Sequence, residues 1–168
     1  MSKQPVILCF GDSNTHGTPP MRSVTDLERF PPENRWPGVV RSILGQRAHI
    51  VEEAQPGRTT IYDDPTGGGD RDGLTALKIV LETHRPIDCI ALMLGTNDLH
   101  ARFNLSAWVI SLNINQLVLK IKQMPCGPSA GEAAQNSAHR STSGSGAGLR
   151  SKGPHRSSRQ VAGTGRVL

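Results

Sequence analysis

Residues 6–17 read Val6-Ile7-Leu8-Cys9-Phe10-Gly11-Asp12-Ser13-Asn14-Thr15-His16-Gly17, an apolar run that stops at a glycine and then presents a serine. The run from Val6 to Phe10 is short, partly β-branched and free of polar alternation. It predicts a strand buried on both faces of a parallel sheet. In such sheets function collects beyond the carboxyl ends of the strands. Gly11 lets the backbone turn tightly where the sheet ends, and the small polar residues after it suit the cap and first turn of a helix. Ser13 is therefore expected where helix N–H groups converge on a bound oxyanion. Taken alone, Gly-Asp-Ser-Asn is also an ordinary turn composition.

Two later stretches narrow the reading. Pro56-Gly57-Arg58-Thr59-Thr60 follows a second strand-like run, and Leu92-Met93-Leu94-Gly95-Thr96-Asn97-Asp98 ends a third. In order and spacing, the three stretches resemble the first three sequence blocks of the SGNH hydrolases, also called GDSL-type esterases, most closely their arylesterase-like branch. The resemblance covers residues 5–122. It implies an α/β fold of flavodoxin-like, three-layer α/β/α plan with a parallel sheet, incomplete at the C-terminus. It also implies Ser13 as nucleophile, with the backbone N–H groups of Ser13 and Gly57 and the side-chain amide of Asn97 forming an oxyanion hole. Asp12, Asn14, His16, Trp36 and Thr96 become candidates for the substrate pocket. The implied reaction is hydrolysis of a small carboxylic ester, aryl or alkyl, through an acyl-enzyme, with no metal and no other cofactor. The family's fourth block, an Asp-x-x-His that supplies acid and base, has no counterpart in this sequence. The chain thus reads as a family member truncated or frameshifted before that block, with little or no turnover.

Composition divides the chain in two. The 168 residues suit one domain rather than two. Residues 1–123 hold 13 basic and 13 acidic side chains, whereas residues 124–168 hold 6 basic and 1 acidic, so the net charge of +5 belongs to the C-terminal segment. A neutral domain with a basic, aromatic-free tail points to nucleic acid only weakly, and such a partner is not expected. The first apolar run, preceded by Lys3 as its one positive charge, is too short for a secretory signal or a membrane span, and a cytoplasmic location is expected. Cys9, Cys89 and Cys126 are widely spaced, with no Cys-x-x-Cys, and indicate neither a disulfide framework nor a zinc site. Cys9 and Cys89 fall in predicted strands and are expected to be buried.

Residues 18–32 hold four prolines and no helical period, which predicts a surface loop above the carboxyl edge of the sheet. His16 either lines the pocket or makes a local hydrogen bond; three residues from Ser13 on one turn, it is not expected to be the catalytic base. Residues 35–45 carry helix start and stop signals, with Trp36, Val39, Val40, Ile43 and Leu44 expected against the sheet, Trp36 as core or pocket wall. Glu52 and Glu53 are neighbours on a predicted strand, point to opposite faces and cannot flank one substrate. The acidic, glycine-rich residues 63–73 lack the register of a calcium loop and read as a loop near the site entrance. Leu74, Leu77, Val80, Leu81 and His84 define one helix face before Pro86, and a strand over residues 88–94 follows. A right-handed crossover with parallel strands then brings Asn97 to the sheet edge that holds Ser13. There its amide suits a developing oxyanion, although capping a helix is the alternative. Asp98 and His100 form Asp-x-His within the third block and receive no triad role.

Residues 106–121 predict a long amphipathic helix with Trp108, Val109, Leu112, Ile114, Leu117, Val118 and Ile121 toward the sheet. Residues 125–168 then hold 8 Gly and 8 Ser among 44 residues and no aromatic, the composition of a disordered tail. The expected division is a domain over residues 1–123 and a tail over residues 124–168. Codons allowed for residues 135–144, read one nucleotide later, can encode Arg-Ile-Leu-Leu-Ile-Ala-Pro-Pro-Pro-Val, the buried strand that the resemblance calls for, so the tail also reads as out-of-frame translation. Two alternatives to an impaired esterase stand beside it. One is a non-catalytic remnant that binds a ligand or an acidic partner, and the other is a gene fragment without function. The resemblance also admits a homo-oligomer.

Overall fold

The computed structural model describes residues 3–23 and 25–128. Three strands, β1 (Val6–Gly11), β2 (His49–Ala54) and β3 (Cys89–Met93), form a parallel sheet in the order β2-β1-β3. Leu8 lies opposite Val51 on one side and Ile90 on the other. The apolar run is thus the central strand, and Leu8, Cys9 and Phe10 are fully buried. Alternation along β1 assigns the two cores. Leu8 and Phe10 join Leu77, Val80, Leu81, Ile87 and Leu117 on one face, while Cys9 joins Ala48 and Ile50 on the other.

Among the described residues four α-helices complete the layers: α1 (Ser13–His16), α2 (Trp36–Leu44), α3 (Gly73–His84) and α4 (Ala107–Gln123). Residues of α2 cover the Cys9 face, whereas α3 and α4 cover the Leu8 face. The three-layer α/β/α arrangement expected from the sequence is therefore present. The α3 face is the predicted one, with Leu77, Val80 and Leu81 buried and Leu74 packed beside them. The Asp72 carboxylate starts this helix by accepting the N–H groups of Leu74 at 2.9 Å and Thr75 at 3.3 Å. Such a cap is worth about 1 kcal/mol.

Several predicted burials are corrected. On α2, Trp36, Val40 and Leu44 pack on the sheet, but Val39 and Ile43 are 44% and 67% exposed. A spacing of four keeps residues 36, 40 and 44 on one stripe, and the neighbouring stripe has no layer above it among the described residues. On α4 the buried residues are Ile110, Asn113 and Leu117, with Ile114 and Ile121 partly covered, while Trp108 is 70% and Leu112 45% exposed. Cys89 is exposed rather than buried because β3 is an edge strand, and its outer edge pairs with no strand among the described residues.

Glu52 and Glu53 do point to opposite faces. Glu52 receives Arg35 and Arg41, each at 2.7 Å, and Arg29 at 3.3 Å, while Glu53 meets His84 at 2.6 Å. The acidic loop uses its carboxylates on its own backbone and on arginine: Asp63 accepts the Arg71 N–H, and buried Asp64 caps a short 3-10 turn and pairs with Arg102. The described chain continues beyond Gln123, since Cys126 is buried and its carbonyl accepts the Ile87 N–H at 2.7 Å. The remainder of the predicted tail, residues 129–168, lies outside the described residues. No helix among the described residues is long and apolar enough to cross a membrane.

Candidate active site

Each of the three motifs sits beyond the carboxyl end of a strand, and hydrogen bonds tie them together pairwise. Ser13 opens α1, half-buried, directly after β1. Buried Asp12 caps that short helix by accepting the Asn14 N–H at 2.9 Å and the Asn14 amide at 3.1 Å. Its second carboxylate oxygen, Oδ2, is buried without a partner, and desolvation raises the Asp12 pKa above the usual 3.8 despite the bonds from Asn14. At Gly11 the backbone comes so close to its neighbours that a methyl group would lie 2.0 Å from Thr15 Oγ1 and 2.8 Å from the Met93 carbonyl. The tightness of the junction between β1, α1 and β3 therefore depends on glycine.

The second loop is pinned beneath the first by Arg58. Its guanidinium is buried, donates through Nη1 to the carbonyls of Gly11 at 3.0 Å and Glu53 at 2.9 Å, and lies 4.4 Å above the Phe10 ring. Burial lowers its pKa. The Gln55 N–H adds a bond to the Gly11 carbonyl at 3.2 Å. Gly57 sits on this loop with φ of +78°.

The third loop closes on both others. The Asn97 amide donates to the Arg58 carbonyl at 2.9 Å, which sets Asn97 beside the Gly57 turn. Fully buried Asp98 accepts the Thr60 N–H at 3.0 Å and also the Thr60 hydroxyl. Thr96 accepts from the Asn14 amide at 3.4 Å, which joins the third loop to α1. An amide has two N–H groups, so the bond to Arg58 leaves one of those on Asn97 for another acceptor.

The remaining pocket candidates are placed as follows. His16 exchanges a hydrogen bond with Thr18 Oγ1 at 2.9 Å through Nδ1, and its carbonyl accepts Arg29 Nε at 2.6 Å. Burial, reinforced by Arg29 and Arg35, lowers its pKa below 6.5. Trp36 packs in the core around Cys9 and donates to Thr15 Oγ1 at 3.2 Å. Among the described residues no imidazole hydrogen-bonds Ser13, and His84, paired with Glu53, is the histidine that meets a carboxylate. Also among the described residues, no group of three or more His, Cys, Asp or Glu side chains could hold a metal ion. Sequence reasoning missed Arg58, Thr60 and Asp98 as the groups that bind the loops to one another. The Thr-Thr after Gly-Arg and the Asp after Asn were their available signals.

The layered fold, with three joined loops beyond the strand ends, is that of the SGNH hydrolases. The chain belongs to the GDSL-like lipase/acylhydrolase family, whose sequence model matches residues 9–147. Among solved structures, it is 41% identical to the inhibitor-bound aryl esterase of M. smegmatis, with a TM-score of 0.65 over 68% of this chain and 53% of that one. It is 38% identical to a carbohydrate acetylesterase from Sinorhizobium meliloti, with a TM-score of 0.65 and the same coverages of 68% and 53%. A carbohydrate acetylesterase family member from the same organism is 37% identical, with a TM-score of 0.65 over 75% of this chain and 57% of that one. The chain thus spans about half the length of the solved structures it matches. A search of curated proteins finds no match.

Proposed function

We propose that residues 1–123 are the N-terminal portion of a serine esterase acting on small aryl or alkyl carboxylic esters. The observation that carries this reading is the Asn97 bond to the Arg58 carbonyl at 2.9 Å, because it holds a neutral amide donor beside the Gly57 turn while Asn14 links the same loop to α1. In this reading Ser13 Oγ attacks the ester carbonyl carbon and passes its proton to a solvent water molecule, which returns one to the leaving alcohol. The carbonyl oxygen becomes an oxyanion held by the N–H groups of Ser13 and Gly57 and the Asn97 amide. Collapse of the adduct breaks the carbon–oxygen bond to the alcohol, which leaves with a proton. Water then attacks the acyl-enzyme, and the carboxylic acid departs as the serine hydroxyl is restored. One oxyanion donor of this kind is worth about 3 kcal/mol in related chemistry.

Proton removal from Ser13 is the weak step, since no imidazole reaches it among the described residues. Loss of a triad base forfeits several orders of magnitude and leaves a residual rate from the oxyanion hole and from binding. The chain is therefore an acyl acceptor with little turnover. Incubation with 4-nitrophenyl acetate tests this: the expected result is slow, single-site acylation seen by intact mass and abolished in Ser13→Ala. Sustained turnover at ordinary enzymatic rates, or identical labelling of Ser13→Ala, overturns it. A second reading, a gene fragment without function, draws on the exposed apolar side chains Trp108, Leu112 and Leu119 of α4 and on the outer edge of β3, which pairs with no strand among the described residues. A cooperative thermal melt of a monomer counts against that second reading.

A further inference from the structure

Arg71 precedes α3, and its backbone is clamped to the second loop. Its carbonyl accepts the Thr59 N–H at 2.9 Å and the Thr59 hydroxyl at 3.2 Å, and its own N–H donates to Asp63 Oδ1 at 2.9 Å. The side chain is half-buried, yet its guanidinium has no hydrogen-bond or ion-pair partner among the described residues. By contrast, Arg35 answers Glu52 and Arg102 answers Asp64. Two left-handed glycines make room for it. A methyl group on Gly57 would come to 3.1 Å from Arg71 Nε and 3.3 Å from Cδ, and one on Gly68, at φ of +102°, to 3.0 Å from Nη2. The guanidinium therefore lies against the turn that carries the Gly57 N–H. Of the carboxylates close to Arg71 in sequence, Asp63 and Asp72 accept backbone N–H groups, and Asp70 forms no ion pair with it among the described residues.

We propose that Arg71 is a specificity-determining residue that selects esters carrying a carboxylate a few bonds from the reacting carbonyl. This rests on the reading of Gly57 as an oxyanion donor. A carbonyl oxygen held at the Gly57 N–H brings the rest of the ester within reach of a half-buried guanidinium that has no ion-pair partner among the described residues. The planar fork of arginine matches a carboxylate in two parallel hydrogen bonds, and partial desolvation strengthens the attraction over its value in water.

The test compares Ser13 acylation, followed by intact mass, for mono-4-nitrophenyl succinate against 4-nitrophenyl butyrate, which place a charge or a methyl group at the same point of the acyl chain. A second pair, 4-acetoxybenzoate against 4-methylphenyl acetate, moves the charge to the alcohol half. The expected result is a preference of about tenfold for the anionic member of at least one pair, as suits one charge-assisted hydrogen-bonded contact. Arg71→Gln is expected to bring that ratio to about one, while Arg71→Lys keeps part of it through charge without the fork. Raising salt from about 0.05 M to about 0.5 M is expected to shrink the wild-type ratio as screening sets in. The same ratio in wild type and Arg71→Gln, or no preference in either pair, overturns the proposal while leaving the esterase reading intact. If neither probe acylates Ser13, the esterase reading fails instead, and equilibrium binding of monomethyl succinate, followed by the amide resonances of Gly57 and Arg71, judges Arg71 alone. A weakening of about tenfold in Arg71→Gln upholds the anion site, and equal affinity overturns it. Should Arg71→Gln fail to fold, Arg71→Lys and the salt dependence decide by the same ratios.

Discussion

Asp98 accepts the Thr60 backbone N–H at 3.0 Å, and this buried bond joins the loop after β3 to the loop after β2 across 38 residues of sequence. With the Thr60 hydroxyl added, one fully buried carboxylate fixes two polar groups of the second loop. Asn97 is its immediate neighbour. The position of the amide beside the Arg58 carbonyl is thereby set by the residue next to it, not by a contact of its own alone.

Replacing that carboxylate is expected to be costly. Asp98→Ala leaves the Thr60 N–H and hydroxyl buried without an acceptor, a loss of about 3 kcal/mol for bonds to a charged group. Asp98→Asn keeps the shape and one acceptor oxygen and is expected to lose less. Urea denaturation of the three proteins gives the ranking, and a wild-type midpoint for Asp98→Ala contradicts the clamp.

The buried place of β1 in a parallel sheet and the packed face of α3 were legible because β1 is an uninterrupted apolar run and α3 repeats its apolar residues at three and four, while the three-layer plan came with the family resemblance. The exposed side of α4 was misread for a specific reason: the buried stripe runs through Asn113, a polar residue whose amide nitrogen is buried without a partner. Trp108 and Leu112 are apolar by composition, so the reading grouped them with Ile114, Leu117 and Ile121, which do pack, and passed over Ile110. Likewise Ser13, Gly57 and Asn97 stand in short motifs that can be found by eye. The bonds that draw their loops together, from Arg58 to Gly11 across 47 residues and from Thr60 to Asp98, leave no local pattern. Edge position is similarly invisible in a run such as residues 89–93, so Cys89 read as a core residue.

His16 makes the folded chain sensitive to mild acid. Burial and the nearby Arg29 and Arg35 lower its pKa from 6.5, so as pH falls past that value the unfolded chain binds the proton before the folded one. Stability from this group is therefore complete above pH 6.5 and declines as pH drops through the folded pKa. Denaturation midpoints measured at about pH 7.5 and about pH 5.5 are expected to fall with acid, and by less in His16→Asn. The difference between the two proteins isolates His16 from the other histidines; an equal fall in both excludes the effect.

The three cysteines are expected to separate by reactivity. Cys9 is fully buried, and burial together with the Glu52 charge pushes its thiol up to about 11. Burial also raises the pKa of Cys126, whereas Cys89 is exposed on the edge strand. Because the thiolate is the reacting species, a disulfide exchange reagent at neutral pH is expected to label Cys89 first and the others only on unfolding. Peptide mapping that finds Cys9 labelled at the rate of Cys89 refutes this assignment.

The outward stripe of α4 predicts how the molecule associates. Trp108, Leu112 and Leu119 are 70%, 45% and 46% exposed, and β3 has an edge that pairs with no strand among the described residues, with Met93 46% exposed. Apolar area of this kind favours contact between copies, and an open strand edge supplies the hydrogen bonds to extend it. Neither Trp108 nor Leu112 belongs to the core clusters, so the pair Trp108→Lys and Leu112→Gln removes little internal packing. The double variant is expected to keep its denaturation midpoint while showing less light scattering at rising concentration. If scattering is unchanged but falls when a charge is placed at Met93, the strand edge and not the helix stripe drives association. If the midpoint drops instead, by the roughly 2 kcal/mol or more typical of a lost core side chain, the stripe is packed and its exposure is wrong.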